Sequence, residues 1–278
     1  MIATSLAENR LSEAVSVFTY GGETLATSYG VNAVAFFGAG ATVLVDPFVS
    51  PMQARELDAL LRARGTSRVT HVVLTHHHTD HALGAGYYAE RGAEVLAHME
   101  AAARMAKEHP ALIAERRKDP ALASLFDGAE LYAPARLVTD GFAFEAGGLR
   151  FDVFHPGHAH TPGDLCVYVP SLGVLVSGDL VSTGYHPNLE DADLAGWRSA
   201  LGRLRAIPFS ALVPGHGPVG GREAVEGQLL YLDRAGKIVA EALDSAGTDE
   251  VSSALAHAFP EFRLRIVLPA LVDRFRRT

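Results

Sequence analysis

Several features that would place this chain in a special class are scarce or missing. It has one cysteine, Cys166, so no intrachain disulfide can form and nothing points to an oxidising compartment. Cys166 lies in the apolar run 165–169, which predicts a buried thiol. No window approaches the roughly 20 apolar residues of a membrane helix, and residues 1–11 lack the apolar stretch of a signal peptide. We therefore expect a cytoplasmic protein without a membrane partner.

The chain also has no excess of positive charge. Its 24 Lys and Arg residues against 32 Asp and Glu residues give a formal net charge of −8. Nucleic-acid backbones attract basic surfaces, so we expect no nucleic-acid partner. The 278 residues are 48% hydrophobic, which is ordinary globular composition and sufficient for a large core.

Hydrophobic periodicity predicts two halves, each with strands followed by helices. Such halves favour a sandwich of sheets with helices outside. Residues 99–128 are rich in Ala, Arg and Glu, and predict a helical insertion, of one or two helices, broken near Pro110 and Pro120. Residues 222–278 predict a helical C-terminal region. We take residues 1–278 as one domain.

The most informative segment is 75–81, which reads Thr-His-His-His-Thr-Asp-His and follows the apolar run 69–74. Imidazole nitrogen and carboxylate oxygen are what a zinc-like cation binds. The first and third histidines alternate by two and point the same way on an extended chain, whereas His77 points elsewhere. The last two candidates lie beyond, where the chain must turn, so two metal positions are expected. The candidate ligands of this segment are His76, His78, Asp80 and His81.

A histidine run can also be a purification tag or a solvated loop. This run is internal and follows a predicted strand, which argues against a tag. Further apolar runs end in ligand-type residues at 155–164, 177–179 and 214–217, so chance is a poor explanation. Within the first of these segments three histidines compete as a ligand: His155, His158 and His160.

These motifs, taken in order, resemble the metallo-β-lactamase superfamily from about Asn32 to Gly217. The motifs are His76-x-His78-x-Asp80-His81, His160-Thr161, Gly178-Asp179 and Pro214-Gly215-His216-Gly217. The resemblance implies an α+β fold, a four-layer αβ/βα sandwich with a dinuclear metal site at one sheet edge.

The resemblance also implies a distribution of ligands. One metal would be bound by His76, His78 and His160. The other would be bound by Asp80, His81 and His216, with Asp179 bridging both. His160 is preferred over its neighbours because Thr-Pro-Gly-Asp follows it. A donor set without thiolates suits two Zn²⁺, with Mn or Fe as alternatives.

Three further residues are candidates for supporting or pocket positions. Asp46 matches an acidic residue of the family that supports the metal loop. Tyr185 and His158 are candidates for lining the pocket. The helices at 99–128 and the tail 262–275 are candidates for covering or flanking it, although the apolar stripe of the tail fits a core or homodimer face better.

The implied activity is hydrolysis of a small molecule. A hydroxide shared by the two metals would attack an ester, thioester, lactone or amide carbonyl, because metal binding lowers the pKa of water from 15.7 toward ~7. Asp80 would orient this hydroxide or relay a proton to the leaving group.

Several alternatives within the family stay open or are disfavoured by particular residues. True β-lactamases of the family lack an Asp at position 179, so at most a weak β-lactamase is expected. The Gly-Cys-Gly-Arg-type segment of glyoxalase II and persulfide dioxygenases is absent after Asp179. A lactonase stays open, because Tyr185 lies three positions beyond the tyrosine of acyl-homoserine lactonases.

Two other classes are rival interpretations. The flavodiiron relatives have Glu where this chain has His78, which argues against an iron-dependent oxidoreductase, although the ligand set alone does not exclude one. All seven ligand positions are filled, which argues against a non-catalytic scaffold.

Overall fold

The computed structural model of the chain describes residues 6–242 and 246–277. Over these residues the chain forms strands arranged in two sheets, with α-helices against them. The strands are β1 (Ala7–Ser12), β2 (Val15–Thr19), β3 (Ala33–Gly38), β4 (Ala41–Val45), β5 (Val69–Val73), β6 (Glu94–His98), β7 (Arg136–Val138), β8 (Gly141–Ala146), β9 (Leu149–Phe154), β10 (Cys166–Val169), β11 (Val174–Ser182) and β12 (Ala211–His216). The helices are α1 (Pro51–Ala63), α2 (Thr79–Ala82), α3 (Ala85–Ala89), α4 (Met99–Arg116), α5 (Leu194–Arg205), α6 (Arg222–Glu241), α7 (Thr248–Ala258) and α8 (Leu268–Arg276), with 3-10 helices at Leu25–Gly30 and Arg265–Val267.

Both sheets are mixed, and their parallel parts determine where the site lies. The first sheet has the order β1 to β7; its strands are antiparallel up to β4 and parallel from β4 to β7. The second sheet has the order β12-β11-β10-β9-β8 and is antiparallel except for the parallel β11–β12 pair. Parallel neighbours end at the same sheet edge, so the segments after β4, β5, β11 and β12 can converge.

The strand alternation produces the layers. Val43 and Val45 of β4 face the second sheet, where they share a core with residues such as Val213, whereas Leu44 between them faces α1. On the far side of the second sheet, Trp197 of α5 is fully buried in a further core with α6, α7 and α8. The order helices, sheet, sheet, helices confirms the predicted four-layer αβ/βα sandwich.

The predicted helical insertion begins with α4, and the expected break at Pro110 is wrong. Proline removes one N–H donor and crowds the preceding turn, which usually ends or bends a helix. Here buried side chains on both sides of Pro110 keep the helix packed: Met105 against the core of the first sheet and Ile113 against a smaller cluster that includes Leu83 and Phe126. The helix ends at Arg116 and the chain continues in turns to Gly128, so the expected interruption near Pro120 is confirmed.

The C-terminal region is helical as predicted, with α6, α7 and α8 over the second sheet. Pro269 lies in the first turn of α8, where its missing N–H needs no partner. Strand β1 at the edge of the first sheet was not predicted. In the part of the chain that the structure describes, no helix has the length and apolar character needed to cross a membrane. The single-domain interpretation and the cytoplasmic location stay predictions.

Candidate metal centre

The candidate ligands converge where the ends of β5, β11 and β12 meet at one edge of the sandwich. The first cluster begins directly after β5 and continues into the short helix α2. Asp179 lies in β11, and His216 is the last residue of β12. His160 lies in the loop between β9 and β10. The sheets therefore bring together residues that the sequence separates by more than a hundred positions.

The first group consists of His76, His78, His160 and Asp179, whose donor atoms all lie within 4.8 Å of one another. His78 Nδ1 lies 3.0 Å from His160 Nε2. His76 Nδ1 lies 3.0 Å from the hydroxyl of Thr75, and the opposite nitrogen, Nε2, is buried without a hydrogen-bond partner. Buried polar atoms are rarely left unpaired, so this nitrogen fits a cation ligand.

The second group consists of Asp80, His81 and His216, also within 4.8 Å of one another. His81 Nε2 and His216 Nε2 are 3.4 Å apart. Asp80 Oδ2 lies 3.6 Å from His81 Nε2 and 3.5 Å from His216 Nε2. Each group combines imidazole nitrogen with carboxylate oxygen and has no thiolate, which fits Zn²⁺ and is also compatible with Mn or Fe.

Asp179 contacts both groups. Its Oδ1 lies 3.3 Å from His81 Nε2, and its Oδ2 lies 3.3 Å from His216 Nε2 and 3.6 Å from His160 Nε2. The space around this carboxylate is kept open by Gly215, since a Cβ there would lie 1.8 Å from Asp179 Oδ1. A single carboxylate thus has the position that a bridge between two cations requires.

The outward nitrogens of the second group are held by fixed acceptors. Asp46 Oδ2 lies 2.8 Å from His81 Nδ1, and the same carboxylate accepts hydrogen bonds from the N–H (2.8 Å) and hydroxyl (2.6 Å) of Thr75. His216 Nδ1 donates to the carbonyl oxygen of Tyr29 at 3.1 Å. Such bonds fix the ring orientation and leave Nε2 facing the site. The support predicted for Asp46 matches this geometry.

Two of these supports have unusual backbone conformations. Asp46 has φ 54° and Tyr29 has φ 49°, in the left-handed region that residues other than glycine rarely adopt. Such conformations cost of order 1–3 kcal/mol each and cluster at functional sites. Both residues also make hydrogen bonds to ligand rings of the second group.

The loop that carries His160 is held by a buried carboxylate. Asp164 accepts hydrogen bonds from the N–H of Thr161 (3.0 Å) and from its hydroxyl (2.6 Å). Burial raises the pKa of Asp164 to about 7. The Thr-Pro-Gly-Asp segment after His160 is therefore a closed turn that fixes the ligand.

The charge states of the two groups differ. Burial lowers the pKa of His76 well below its usual value and that of His160 to about 3, so both rings are neutral, which is the form that binds cations. Burial also opposes the charged form of His81, but the carboxylates of Asp179, Asp80 and Asp46 together outweigh it and raise the pKa of His81. The carboxyl pKa of Asp179 is in turn held low, since His216 and His81 outweigh the effect of burial.

The other histidines of the motif lie outside both groups. His77 lines the cavity and lies 3.4 Å from Asp191 Oδ2 and 3.6 Å from Glu108 Oε2. With His78 and Asp191 it forms a third set of donor atoms within 4.8 Å of one another. His158 Nε2 donates to the carbonyl oxygen of Asp191 at 2.8 Å. His155 Nδ1 donates to the carbonyl oxygen of Asp164 at 2.7 Å. Of the three competing histidines, only His160 joins a candidate metal group of the described chain.

Tyr185 lies behind the site rather than in the cavity. Its ring centroid is 5.5 Å from that of His216, and its hydroxyl donates to the carbonyl oxygen of Gly22 at 3.2 Å. Gly30 makes room for this hydroxyl, since a Cβ there would lie 2.4 Å from it. Tyr185 therefore supports His216, and it is not among the residues that line the cavity described next.

A cavity of about 800 Å³ opens over both groups. One wall is α4, and the other is the segment 264–270, which includes a 3-10 helix and the start of α8, so the predicted insertion and the tail both flank the site. The apolar residues of the tail 262–275 contribute both to the core and to the cavity. Leu268 and Leu271 pack in the core, whereas Leu264 and Val267 line the cavity.

Sequence reasoning missed two residues at this site. Asp191 Oδ2 lies 3.5 Å from His78 Nε2, so it supports the outward side of that ring. Tyr29 supports His216 through its carbonyl oxygen and also lines the cavity. Neither has a motif; the only signal for Tyr29 is its place before Gly30 in a glycine-rich turn region.

Comparisons with known proteins agree with this site and fold. The family model described as the Metallo-beta-lactamase superfamily matches residues 26–216. A metallo-beta-lactamase type 2 from Bacillus cereus is 29% identical over 185 residues, which are 65% of this chain and 64% of that protein. The 2,4-dinitroanisole O-demethylase subunit alpha of Nocardioides sp. (strain JS1661) is 28% identical over 187 residues, 66% of this chain and 51% of that subunit.

The chain therefore spans less than two thirds of the length of these curated relatives. Among solved structures, a metallo-beta-lactamase from Pontibacter korlensis superposes with a TM-score of 0.68 at 23% identity, covering 82% of this chain and 99% of that one. This likeness concerns the fold. Because the family model covers most of the chain, including every candidate ligand, the chain belongs to the metallo-β-lactamase superfamily.

Proposed function

We propose that this protein is a hydrolase with two metal ions, zinc being the best fit, that acts on an ester, thioester, lactone or amide carbonyl of a small molecule. The observation that carries the proposal is the position of Asp179, whose two oxygens reach His81 on one side and His160 on the other. A non-bridged single site would need no carboxylate between two imidazole groups.

Bound ions would lower the pKa of water to near neutrality and polarise the substrate carbonyl. The residues of the chain bind and orient around them. Asp46, Asp191 and the carbonyl oxygen of Tyr29 hold three imidazoles in place. Asp80 lines the cavity, and in this proposal its carboxylate would orient the attacking water or relay a proton to the leaving group.

The cavity supports a small-molecule substrate. Its volume of about 800 Å³ is within the range of small-molecule sites, and polar groups converge at its floor while aliphatic residues line one wall. The hydroxyl of Tyr185 is bonded to a backbone carbonyl, so this residue gives no support to a lactonase over other hydrolases.

Metal analysis and a substrate panel test the proposal. Protein stripped of metal and reloaded with Zn²⁺, Mn²⁺ or Fe²⁺ is assayed on esters, thioesters, lactones, amides and a chromogenic cephalosporin, the last because relatives are named metallo-beta-lactamases. We expect about two ions per chain and turnover that requires them. Redox activity with iron alone would support an oxidoreductase instead, and no turnover with two bound ions would support a scaffold.

Asp80→Ala tests the proposed proton role. We expect turnover to fall by roughly 10²-fold or more, the range for general acid–base groups, with little change in the unfolding midpoint. Glu190→Ala, at an exposed carboxylate of the cavity rim, is the matched control. Unchanged turnover of the metal-loaded Asp80→Ala variant would contradict the role.

A further inference from the structure

The wall of the cavity formed by α4 carries positive charge, although the chain as a whole is acidic. Three basic side chains of α4 line the cavity, Arg104, Lys107 and Arg116, together with one acidic side chain, Glu108. The residues of segment 264–270 that line the opposite wall are aliphatic, and one of them, Ile266, is 77% exposed. The cavity therefore has charged side chains along α4 and hydrocarbon on the opposite side, and further carboxylates line it at Asp80, Asp179, Glu190 and Asp191.

Arg116 differs from Arg104 in having no carboxylate partner. Arg104 lies 3.0 Å from Glu108 and 3.2 Å from Asp191, so its charge is neutralised within the protein. The Nη1 of Arg116 donates to the hydroxyl of Thr79 at 2.9 Å, and no carboxylate of the described residues is within 4.0 Å of its guanidinium. A guanidinium has five N–H donors in a planar fork, so most of the donors of Arg116 have no protein acceptor.

Arg116 is also held close to the metal centre. Thr79, which accepts its hydrogen bond, stands between His78 and Asp80, and these two residues belong to different metal groups. The guanidinium is partly buried and interacts electrostatically with Asp80 and with Tyr29. Burial lowers the pKa of Arg116, yet arginine stays charged at any physiological pH. A half-buried cation that no carboxylate contacts directly is stabilised further by an anionic ligand.

We infer that Arg116 binds a carboxylate of the substrate, so that the centre acts on carbonyl compounds that carry a separate acidic group. This inference rests on the proposed function and adds the substrate class to it. The planar fork matches a carboxylate in bidentate geometry. The hydrocarbon of the substrate packs against Leu264, Ile266 and Val267, which line the opposite wall.

A purely structural role for Arg116 is the competing explanation. Its guanidinium carbon lies 5.2 Å from the ring centroid of Phe126, and the Thr79 hydrogen bond ties α4 to the metal loop. That role would affect folding and all ligands equally, whereas a carboxylate subsite affects acidic ligands alone. A variant with a neutral side chain at position 116 therefore distinguishes the two explanations: a structural role predicts weaker binding of every ligand, and a carboxylate subsite predicts weaker binding of acidic ligands alone.

Binding of matched acids by the zinc-loaded protein separates them without any turnover. Succinate, glutarate and adipate are compared by calorimetry with butyrate, valerate and hexanoate, which have the same chain lengths and one carboxylate instead of two. The carboxylate that both acids have measures binding at the metals, and the additional carboxylate of the diacid measures binding to Arg116. We expect at least one diacid to bind ~10- to 100-fold more tightly than its monoacid, as for hydrogen bonds to charged groups.

Arg116→Met keeps a long side chain over Phe126 and removes the charge. We expect this variant to lose the preference for the diacid while it keeps the affinity for the monoacid, the zinc content and the unfolding midpoint. Arg116→Lys should keep part of the preference. Lys118→Met, an exposed neighbour outside the cavity, makes the same change in net charge and should keep all of it. A preference that survives Arg116→Met, or no preference in the native protein, would overturn the inference.

Turnover provides a second arm. The 4-nitrophenyl monoester of glutaric acid is compared with 4-nitrophenyl valerate. We expect Arg116→Met to raise KM for the acidic ester ~10- to 100-fold and to leave the neutral ester unchanged. If neither ester is hydrolysed but the diacid preference depends on Arg116, then the hydrolase proposal fails and the carboxylate subsite stands. If both esters are hydrolysed equally well by the native protein and by Arg116→Met, the subsite fails and the hydrolase stands.

Discussion

The two halves of the metal centre are built in different ways. The first half comes from one contiguous segment, 76–81, directly after β5. The second half consists of His160, Asp179 and His216, which come from a loop and two strands of the second sheet. Local backbone geometry orders the first set, whereas the second set meets only when the sheets have formed and packed. The difference shows which part of a site a sequence motif encodes and which part depends on the tertiary fold.

Their supports differ as well. In the first half Asp46 bonds directly to a ligand, His81, through its carboxylate. In the second half the carboxylate of Asp164 accepts hydrogen bonds from the N–H and hydroxyl of Thr161, next to the ligand His160, and does not contact a ligand ring. One carboxylate orients a ring and the other closes a turn. Changes at these supports should therefore affect metal affinity in the first half and loop stability in the second.

The largest effect is expected where the halves meet. Asp179→Ala removes the only carboxylate in the described chain that contacts both candidate groups. We expect turnover to fall by roughly 10³-fold or more, as when a group that stabilises the transition state directly is removed, and metal content to fall below two per chain. Metal analysis and kinetics check this. Asp233→Ala, at an exposed surface position, is the control; near-normal metal content and turnover of Asp179→Ala would contradict the bridge.

Acid should weaken the hydrogen bond from His109 that supports the first half of the centre, segment 76–81. His109 Nε2 donates to the carbonyl oxygen of His77 at 2.7 Å, and burial lowers the pKa of His109 to about 4. A lowered histidine pKa gives stability that is complete above pH ~6.5 and is lost as the pH falls toward 4, up to about 3 kcal/mol. Urea unfolding between pH 7 and 4 should show a steeper fall for the native protein than for His109→Gln. Parallel curves for the two proteins would disprove this coupling.

Asp46→Asn tests whether the carboxylate behind His81 supports metal affinity, in contrast to Asp164 in the loop of His160. The variant loses the charged acceptor of His81 and keeps the shape of the side chain. We expect zinc affinity to fall ~10- to 100-fold, the usual effect of removing a carboxylate behind a metal-binding histidine. Competition with a chromophoric chelator measures the affinity. Asp164→Asn is the matched variant of the second half and should lower the unfolding midpoint more than the zinc affinity; the reverse pattern would contradict the distinction.

The smallest effect is expected at His158, which competed with His160 as the histidine ligand of the second half. His158→Gln removes a ring that bonds to the carbonyl oxygen of Asp191 and lies outside both metal groups. We expect a loss of about 1 kcal/mol of stability, the worth of one hydrogen bond, and unchanged zinc content. His160→Gln is its counterpart and should reduce zinc content. Equal loss of zinc in both variants would show that the choice between the two rings is wrong.

The sequence predicted much of the fold because its signals are local. The apolar run before Thr75 and the alternation in β4 indicate strands from short windows. The continuation of α4 through Pro110 could not be predicted, because packing of Met105 and Ile113 outweighs the local cost of proline. Propensity is a property of the segment, whereas this packing depends on residues from the sheet and from loops distant along the chain.

The candidate site, too, has features that the local sequence predicts and contacts that only the tertiary fold creates. The spacing of 76–81 by itself determined a cluster with two directions, since alternation along an extended chain fixes which side chains face together. The sequence did not reveal the support of His78 by Asp191 or the position of Arg116 over Thr79. Both contacts join segments that are distant along the chain, and their side chains carry no pattern of their own.

What the sequence alone determined is thus the chemical identity of the centre: imidazoles, carboxylates and no thiolate, at strand ends. Only the tertiary structure decided which histidine of the second half reaches the site, and that Arg116 of α4 lies beside the metal loop without a carboxylate contact. The physical reason is that ligand types are fixed by residue identity, whereas distances and unpaired charges arise only when the sheets and α4 pack together.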